Sequence, residues 1–331
     1  MKGHRQPRVL HLYDAADVGA TIVRYGRRNG LPWRQFDVAP PEGGAKVIRS
    51  AVWQAKRASG ILSADLLHLH SGSRIGIVRS KPYKPFVLHF HGTDIRTQYY
   101  DPLRRPTLQW GADNAAAVLY STPDLEPHAR TARADAVYLP NPVAMDELPA
   151  WDPRSRPLVV FASRWESSKG GSRQLELARK LAAALGPFAE LQGIDWGSES
   201  AAAAALGVEL VPRMPKDAYL AWLASAHCVI GQSAGILAMS ELQAVALGVP
   251  VAMPKLGNGY YPEPVPVLQG EDEELVEQVR HVLHDPVAAS AQLSGPQWIR
   301  HHHAPEQAVN ALVSLYDRLY QEPRGPADRG R

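Results

Sequence analysis

A single cysteine, Cys228, stands among 331 residues, so no disulfide forms within the chain and the composition fits a reducing compartment. No run of roughly 18 uncharged apolar residues occurs, and a membrane-spanning helix is therefore not expected. The apolar stretch after the basic N-terminus is broken by Asp14 and Asp17, unlike a secretory leader. No G-x-G-x-x-G follows an apolar run, which argues against a dinucleotide dehydrogenase. No internal repeat suggests a solenoid. Charge of one sign is scarce as well: 36 Lys and Arg against 33 Asp and Glu leave +3, too little to point to nucleic acid. The location these absences suggest is the cytoplasm.

The small basic excess is uneven. Residues 1–150 carry 20 Lys and Arg against 13 Asp and Glu, with Arg24, Arg27, Arg28, Lys46, Arg49, Lys56 and Arg57 supplying most of it. Solvated helix faces account for such a pattern. It also suits an anionic acceptor or peripheral contact with the inner face of a membrane.

What is present is a regular alternation of short β-branched runs with longer helical patterns, which marks a parallel sheet covered by helices. In the first half, strands are expected at 8–14, 34–39, 65–71, 86–92, 116–122 and 136–142, with helices at 20–29 and 45–59 among others. The segment 144–157 has three prolines, mixed charge and no periodicity, and reads as a linker at 149–157. The alternation then restarts, with strands at 158–164, 188–194, 208–214, 227–233 and 250–254. Helices fall at 172–185, 198–206, 215–226, 237–247, 271–284 and 305–321. The expected fold is α/β: two Rossmann-like, doubly wound parallel-sheet domains facing each other across a cleft. Residues 1–148 form the first and 158–302 the second. The helix at 303–321 packs back on the first domain, and the Pro/Gly-rich tail 322–331 is expected to be disordered.

Several strand ends carry chemistry. DAADVGAT follows the first strand, placing Gly19 where a helix start offers free amides. DLLHLHS and FVLHFHGTD bring His68 with His70, and His89 with His91, to one side of their strands, because the strand period is two. Asp94 adjoins. STPDL and YLPNPV follow, the latter with Asn141. FASRWESSKGG closes a strand on Arg164 and sets Lys169 before a helix. VELVPRM ends on Arg213 and Met214, and SAGILAMSELQAVALGVPVAMP holds Ser233, Gly235, Ile236, Leu237 and Glu241.

Taken in order, these segments resemble the retaining glycosyltransferases of family 4, which have the two-domain GT-B fold, from about residue 8 to 320. The resemblance implies a nucleoside-diphosphate sugar, UDP- or GDP-linked, as donor, and no other cofactor or metal. Arg164 and Lys169 would bind the diphosphate, and His91 would reach the donor sugar, these three forming the catalytic set. Gly19, Arg213, Met214, Ser233, Gly235, Ile236, Leu237 and Glu241 would line the donor, with Glu241 on the ribose hydroxyls. Asp94 and Asn141 would lie on the sugar or acceptor side. The acceptor itself, a saccharide, a lipid-linked sugar or a small natural product, is not specified.

The chain departs from the family pattern at four places. Ser233 stands where the first glutamate of the E-x7-E motif belongs, Pro142 replaces a glycine, Ala20 replaces one glycine of the Gly-Gly turn at Gly19, and GNGYYPEP (257–264) stands where GGxxE is usual. A catalytically silent nucleotide-sugar-binding protein is the alternative that Ser233 supports. A nucleotide-sugar epimerase is a smaller variant of it. A third reading, a metal hydrolase, rests on the H-x-H pairs and on His301, His302 and His303 in an expected loop before Pro305.

Overall fold

A computed structural model describes residues 5–36, 46–79, 84–257 and 261–321. The strand end at 37–39, residues 258–260 of the segment after Gly257, and the tail 322–331 lie outside them. The described residues form twelve strands: β1 (Val9–Leu12), β2 (Trp33–Phe36), β3 (Leu66–His70), β4 (Phe86–Phe90), β5 (Ala117–Tyr120), β6 (Val137–Tyr138), β7 (Leu158–Phe161), β8 (Glu190–Ile194), β9 (Glu209–Val211), β10 (Cys228–Ile230), β11 (Val251–Pro254) and β12 (Leu268–Gly270). The helices are α1 (Val18–Arg28), α2 (Lys46–Ser63), α3 (Thr93–Arg96), α4 (Arg105–Asn114), α5 (Glu126–Ala132), α6 (Ser172–Leu185), α7 (Ser200–Ala205), α8 (Lys216–Ala224), α9 (Met239–Leu247), α10 (Asp272–His284), α11 (Pro286–Leu293), α12 (Gly295–His302) and α13 (Pro305–Gln321).

The chain divides into two compact units, Met1–Pro142 with Pro305–Arg331, and Val143–Ala304. Each contains one six-stranded sheet, ordered β2-β1-β3-β4-β5-β6 in the first and β12-β11-β10-β7-β8-β9 in the second. Every pairing is parallel. Both orders are doubly wound, with the direction of winding reversing between β1 and β3, and between β7 and β10. Open α/β sheets bind ligands beyond the strand carboxyl ends at such switch points.

In the first unit the two sheet faces differ in chemistry. Leu10, Leu12, Leu67, Leu69, Leu88 and Phe90 point to one side and pack with Ile61 of α2 and Leu108 and Ala112 of α4. The alternate positions, His11, His68, His70 and His89, are equally buried on the other. There α13 lies against α1. Trp33 of β2 demands room on that side: a Cβ at Gly26 of α1 would meet its ring at 2.3 Å.

In the second unit both faces are apolar. Leu158, Val160, Val229, Val251 and Met253 pack with α8, α9 and α12. Val159, Phe161, Leu191, Cys228 and Ile230 pack with α6 and α10. Burial of Cys228 pushes its thiol up to about 12.

The second unit begins at Val143, and the segment expected to be a linker is part of it. The Asp152 and Arg154 amides donate to the carbonyls of Ala224 (3.0 Å) and Ser225 (3.1 Å). The Trp151 indole donates to Ala226 O at 2.8 Å, and Met145, Leu148 and Trp151 pack on the core. Prolines suppress periodicity without preventing docking. The three-residue edge strand β12 and the helices α11 and α12 were not expected. Asp285 caps α11 through Ala288 N at 2.9 Å, and α12 carries His301 and His302 on its last turn, so they do not sit in a loop.

Because Trp151 is anchored in this way, Trp151→Ala is expected to destabilise the second unit by roughly 2 kcal/mol or more. Denaturant unfolding measures it; an unchanged midpoint would restore the linker reading.

Candidate functional site

The second sheet's switch point is formed by the segment after β7 and the segment after β10. After β7 the chain makes a tight loop: the Lys169 amide donates to Glu166 O at 2.9 Å, and the Gly171 amide donates to the same carbonyl at 3.3 Å. Gly170 and Gly171 have φ of +121° and +51°, values that side chains with a Cβ rarely adopt. Space makes the same demand, since a Cβ on Gly170 would lie 2.4 Å from that of Ser233. The loop after β7 is thereby pressed onto the loop after β10, immediately before the first turn of α6.

On this platform the half-buried Lys169 donates from Nζ to Gln232 Oε1 at 3.2 Å. Beneath it Gln232 Nε2 and Ser233 Oγ are buried without a hydrogen-bond partner among the described residues. Such groups are costly unless something satisfies them. Arg164 forms an ion pair with Glu166 at 2.9 Å. Its guanidinium lies 4.8 Å from the Trp196 ring centroid, and that of Arg213 lies 4.2 Å from the same ring. Two cations and a half-exposed indole thus gather at the carboxyl ends of β7, β8 and β9, where a planar or anionic group can be held.

Glu241 is fully buried, and its carboxylate accepts from Gln232 N (3.0 Å), Ala238 N (3.1 Å) and Ser240 Oγ (3.1 Å). It is thereby a brace between β10 and α9. Gly235, Ile236 and Leu237 precede α9, which starts at Met239, so their amides are not those of a helix first turn. Ile236 and Leu237 are buried, and the Met214 side chain packs against the core.

In the first unit, the Gly19 and Ala20 amides both point at Asp14 Oδ1, at 2.9 and 3.4 Å. The chain's own carboxylate accepts from both amides, and burial holds the Asp14 pKa above its usual range. Asp94 is a second internal brace, accepting from the amides of Gly72 (2.9 Å), His91 (3.2 Å), Gly92 (3.0 Å) and Ile95 (3.0 Å). Burial raises its pKa too. Asp94 therefore fixes the loop that carries His91. Asn141 is buried beyond β6. His91 is half-buried at the end of β4.

Three residues escaped the sequence reading. Trp196 lies two residues past the end of β8 in a segment with no motif, Gln232 precedes the position of the missing glutamate, and His11, inside β1, joins the other histidines only through strand register. Among the described residues, three groupings have ligand atoms close enough to share a metal: His11, His68 and His70; His70, His89 and His91; and, at an exposed place, His301 and His302 with Glu263.

Neither a protein-family model nor a curated protein matches the chain. Solved structures do. A glycosyltransferase from Rickettsia africae ESF-5 superposes with a TM-score of 0.66 at 10% identity, covering 97% of this chain and 100% of that one. Anabaena HepE in complex with UDP-glucose gives 0.67 at 13% identity, covering 94% and 99%. A putative UDP-N-acetylglucosamine 2-epimerase from Listeria monocytogenes gives 0.60 at 13%, covering 97% and 99%. The likeness establishes the fold: two Rossmann-like parallel-sheet domains of GT-B type.

Two measurements probe these sites. Glu241→Gln places an amide N–H group against backbone donors and is expected to cost about 1–3 kcal/mol of stability; an unchanged unfolding midpoint would contradict the brace. The second concerns acid. Burial pushes His11 and His91 down to about 3, and His68, His70 and His89 well below the ordinary value. These depressed values mean that the unfolded chain binds protons first. Stability is then complete above about pH 6.5 and falls as pH drops toward 3, by about 1.4 kcal/mol per pH unit for each such histidine. Circular dichroism melts from pH 7.5 to 4.5 should show the loss beginning near pH 6; a flat profile would contradict neutral burial.

Proposed function

We propose that the protein is a retaining glycosyltransferase that moves a sugar from a nucleoside-diphosphate donor, UDP- or GDP-linked, to an acceptor hydroxyl. The observation that carries this reading is the platform after β7: Lys169 over the unpartnered Gln232 and Ser233 atoms, with Arg164 and Arg213 on Trp196. Fixed cations favour the departing diphosphate, whose charge grows as the glycosidic bond breaks. Trp196 offers a face for a base or ribose. HepE, of the same fold, is described in complex with UDP-glucose.

In this reading the bond from the anomeric carbon to the phosphate oxygen breaks, and the bond to the acceptor oxygen forms on the same face. The acceptor proton passes to the departing phosphate oxygen. Arg164 and Lys169 provide the positive charge, so that transfer is metal-independent, and His91 supplies the hydrogen bond on the sugar side. Glu241 acts indirectly, by holding the Gln232 loop.

A second reading follows from Ser233, which has no carboxylate to offer near the sugar: nucleotide-sugar binding without transfer. The epimerase likeness adds a variant in which the same binding serves a different reaction.

A thermal-shift panel of nucleoside diphosphates and their sugars tests the proposal. One nucleotide is expected to stabilise the protein, by about 2.7 kcal/mol when present at 100 times its Kd, and Arg164→Ala and Lys169→Ala should each remove that gain. If no nucleotide stabilises the wild type, the reading fails. Binding without hydrolysis or transfer over an acceptor panel would favour the silent protein.

A further inference from the structure

Five imidazoles line one face of the first sheet because register and alternation put them there. His11 pairs in register with His68, and His70 with His89. His70 and His91 lie two residues beyond His68 and His89, hence on the same side. Tyr316 of α13 reaches into the row and is fully buried.

Their polar atoms form one chain. His91 Nε2 meets His70 Nδ1 at 3.1 Å, and His70 Nε2 meets His11 Nδ1 at 3.0 Å. His11 Nε2 meets the Tyr316 hydroxyl at 3.5 Å, the longest link. That hydroxyl also bonds His68 Nδ1, and His68 Nε2 meets His89 Nδ1 at 3.3 Å. At one end, His89 Nε2 is buried with no partner among the described residues. At the other, His91 is the half-buried member, and its Nδ1 has no partner among the described residues.

A neutral imidazole has one donor nitrogen and one acceptor nitrogen, and a phenol has a single proton to give. Passing that constraint along the chain leaves three arrangements: all five rings protonated on Nδ1; all five on Nε2; or His91, His70 and His11 on Nε2 with His68 and His89 on Nδ1, the phenol oxygen accepting from both sides. The second would bury a donor at His89 Nε2, and the third would bury the Tyr316 O–H, with nothing to accept it, the rarer kind of orphan. We propose that the row is a tautomer lock: each of the five rings carries its proton on Nδ1, so that His91 presents an N–H to its ligand. The ligand group it selects is an acceptor oxygen of the sugar. That half of the inference rests on the nucleotide-sugar reading, whereas the proton arrangement does not. His11, His68, His70, His89 and Tyr316 are positioning residues acting through His91.

Two carboxylates flank the row, and neither bonds a ring nitrogen. Asp14 is held by the Gly19 and Ala20 amides, and Asp94 by four backbone amides, including that of His91. A metal shared by His70, His89 and His91 would find the His89 Nε2 lone pair free but would have to break the ring-to-ring bonds that engage those of His70 and His91.

Nitrogen-15 correlation spectra of histidine-labelled protein at pH 7.5 read each tautomer directly. All five buried rings should show Nδ1 protonated and Nε2 bare. His70→Phe, which keeps an aromatic ring in the row, should turn His91 into a tautomer mixture. Tyr316→Phe cuts the chain at its centre: His91 should keep its pattern while His68 and His89 lose a single one. A wild-type His91 that is mixed or protonated on Nε2, or one stoichiometric zinc or cobalt(II) bound through these rings, overturns the lock. For the ligand half, His91→Asn keeps an N–H near the Nδ1 position and should hold donor affinity within about tenfold, whereas the acceptor-only His91→Asp should lose well over tenfold. Equal losses in the two variants overturn the donor role. Failure of every nucleotide sugar to bind, with the tautomer pattern intact, condemns the transferase reading and leaves the proton arrangement standing.

Discussion

The carboxylate of Glu241, enclosed and shared among Gln232 N, Ala238 N and Ser240 Oγ, is the constraint on which the second unit's working surface depends. It ties the end of β10 to the start of α9. That tie fixes Gln232 under Lys169 and Ser233 against Gly170. A buried carboxylate satisfied by several backbone donors makes a stiff joint, since each bond lost would leave an orphaned group in a dry place. Asp94 makes a similar joint in the first unit, around His91.

The two sheets use their buried faces differently. The second is apolar on both sides, as a parallel sheet ordinarily is. The first trades one apolar face for imidazoles, which are tolerable there because they remain neutral and bond one another. The same register that stacks the strands lines up the ring nitrogens, so the polar row and the hydrogen-bonded ladder have one origin.

Much of this was legible in the sequence. Fully buried parallel strands read as continuous apolar runs, so VLHL, LLHLH, FVLHF and LVVF announced themselves, and the α/β alternation followed. Boundaries were less clear: β12 has only three residues, and prolines at 286 and 296 begin helices that looked like connections. The 144–157 segment misled for a related reason, because its docking rests on Trp151 and on backbone bonds that leave no periodic trace. At the site, Arg164 and Lys169 were found through a motif at a strand end. Gly19, Asp94 and Glu241 also bond within their own chain, contacts that no motif shows. Residue type marks a group as polar; only the tertiary structure tells whether its lone pairs face a ligand or its own backbone. Trp196 and His11 were invisible for the same reason, each mattering through neighbours distant in sequence.

Cys228, the chain's one thiol, lies sealed on β10 with its ionisation pushed up to about 12. Thiolate chemistry is therefore closed to it under ordinary conditions. The folded molecule is in effect a cysteine-free background: a single thiol engineered on any exposed helix would take a dye or spin label alone, and a pair of them would report distances without prior removal of the native residue.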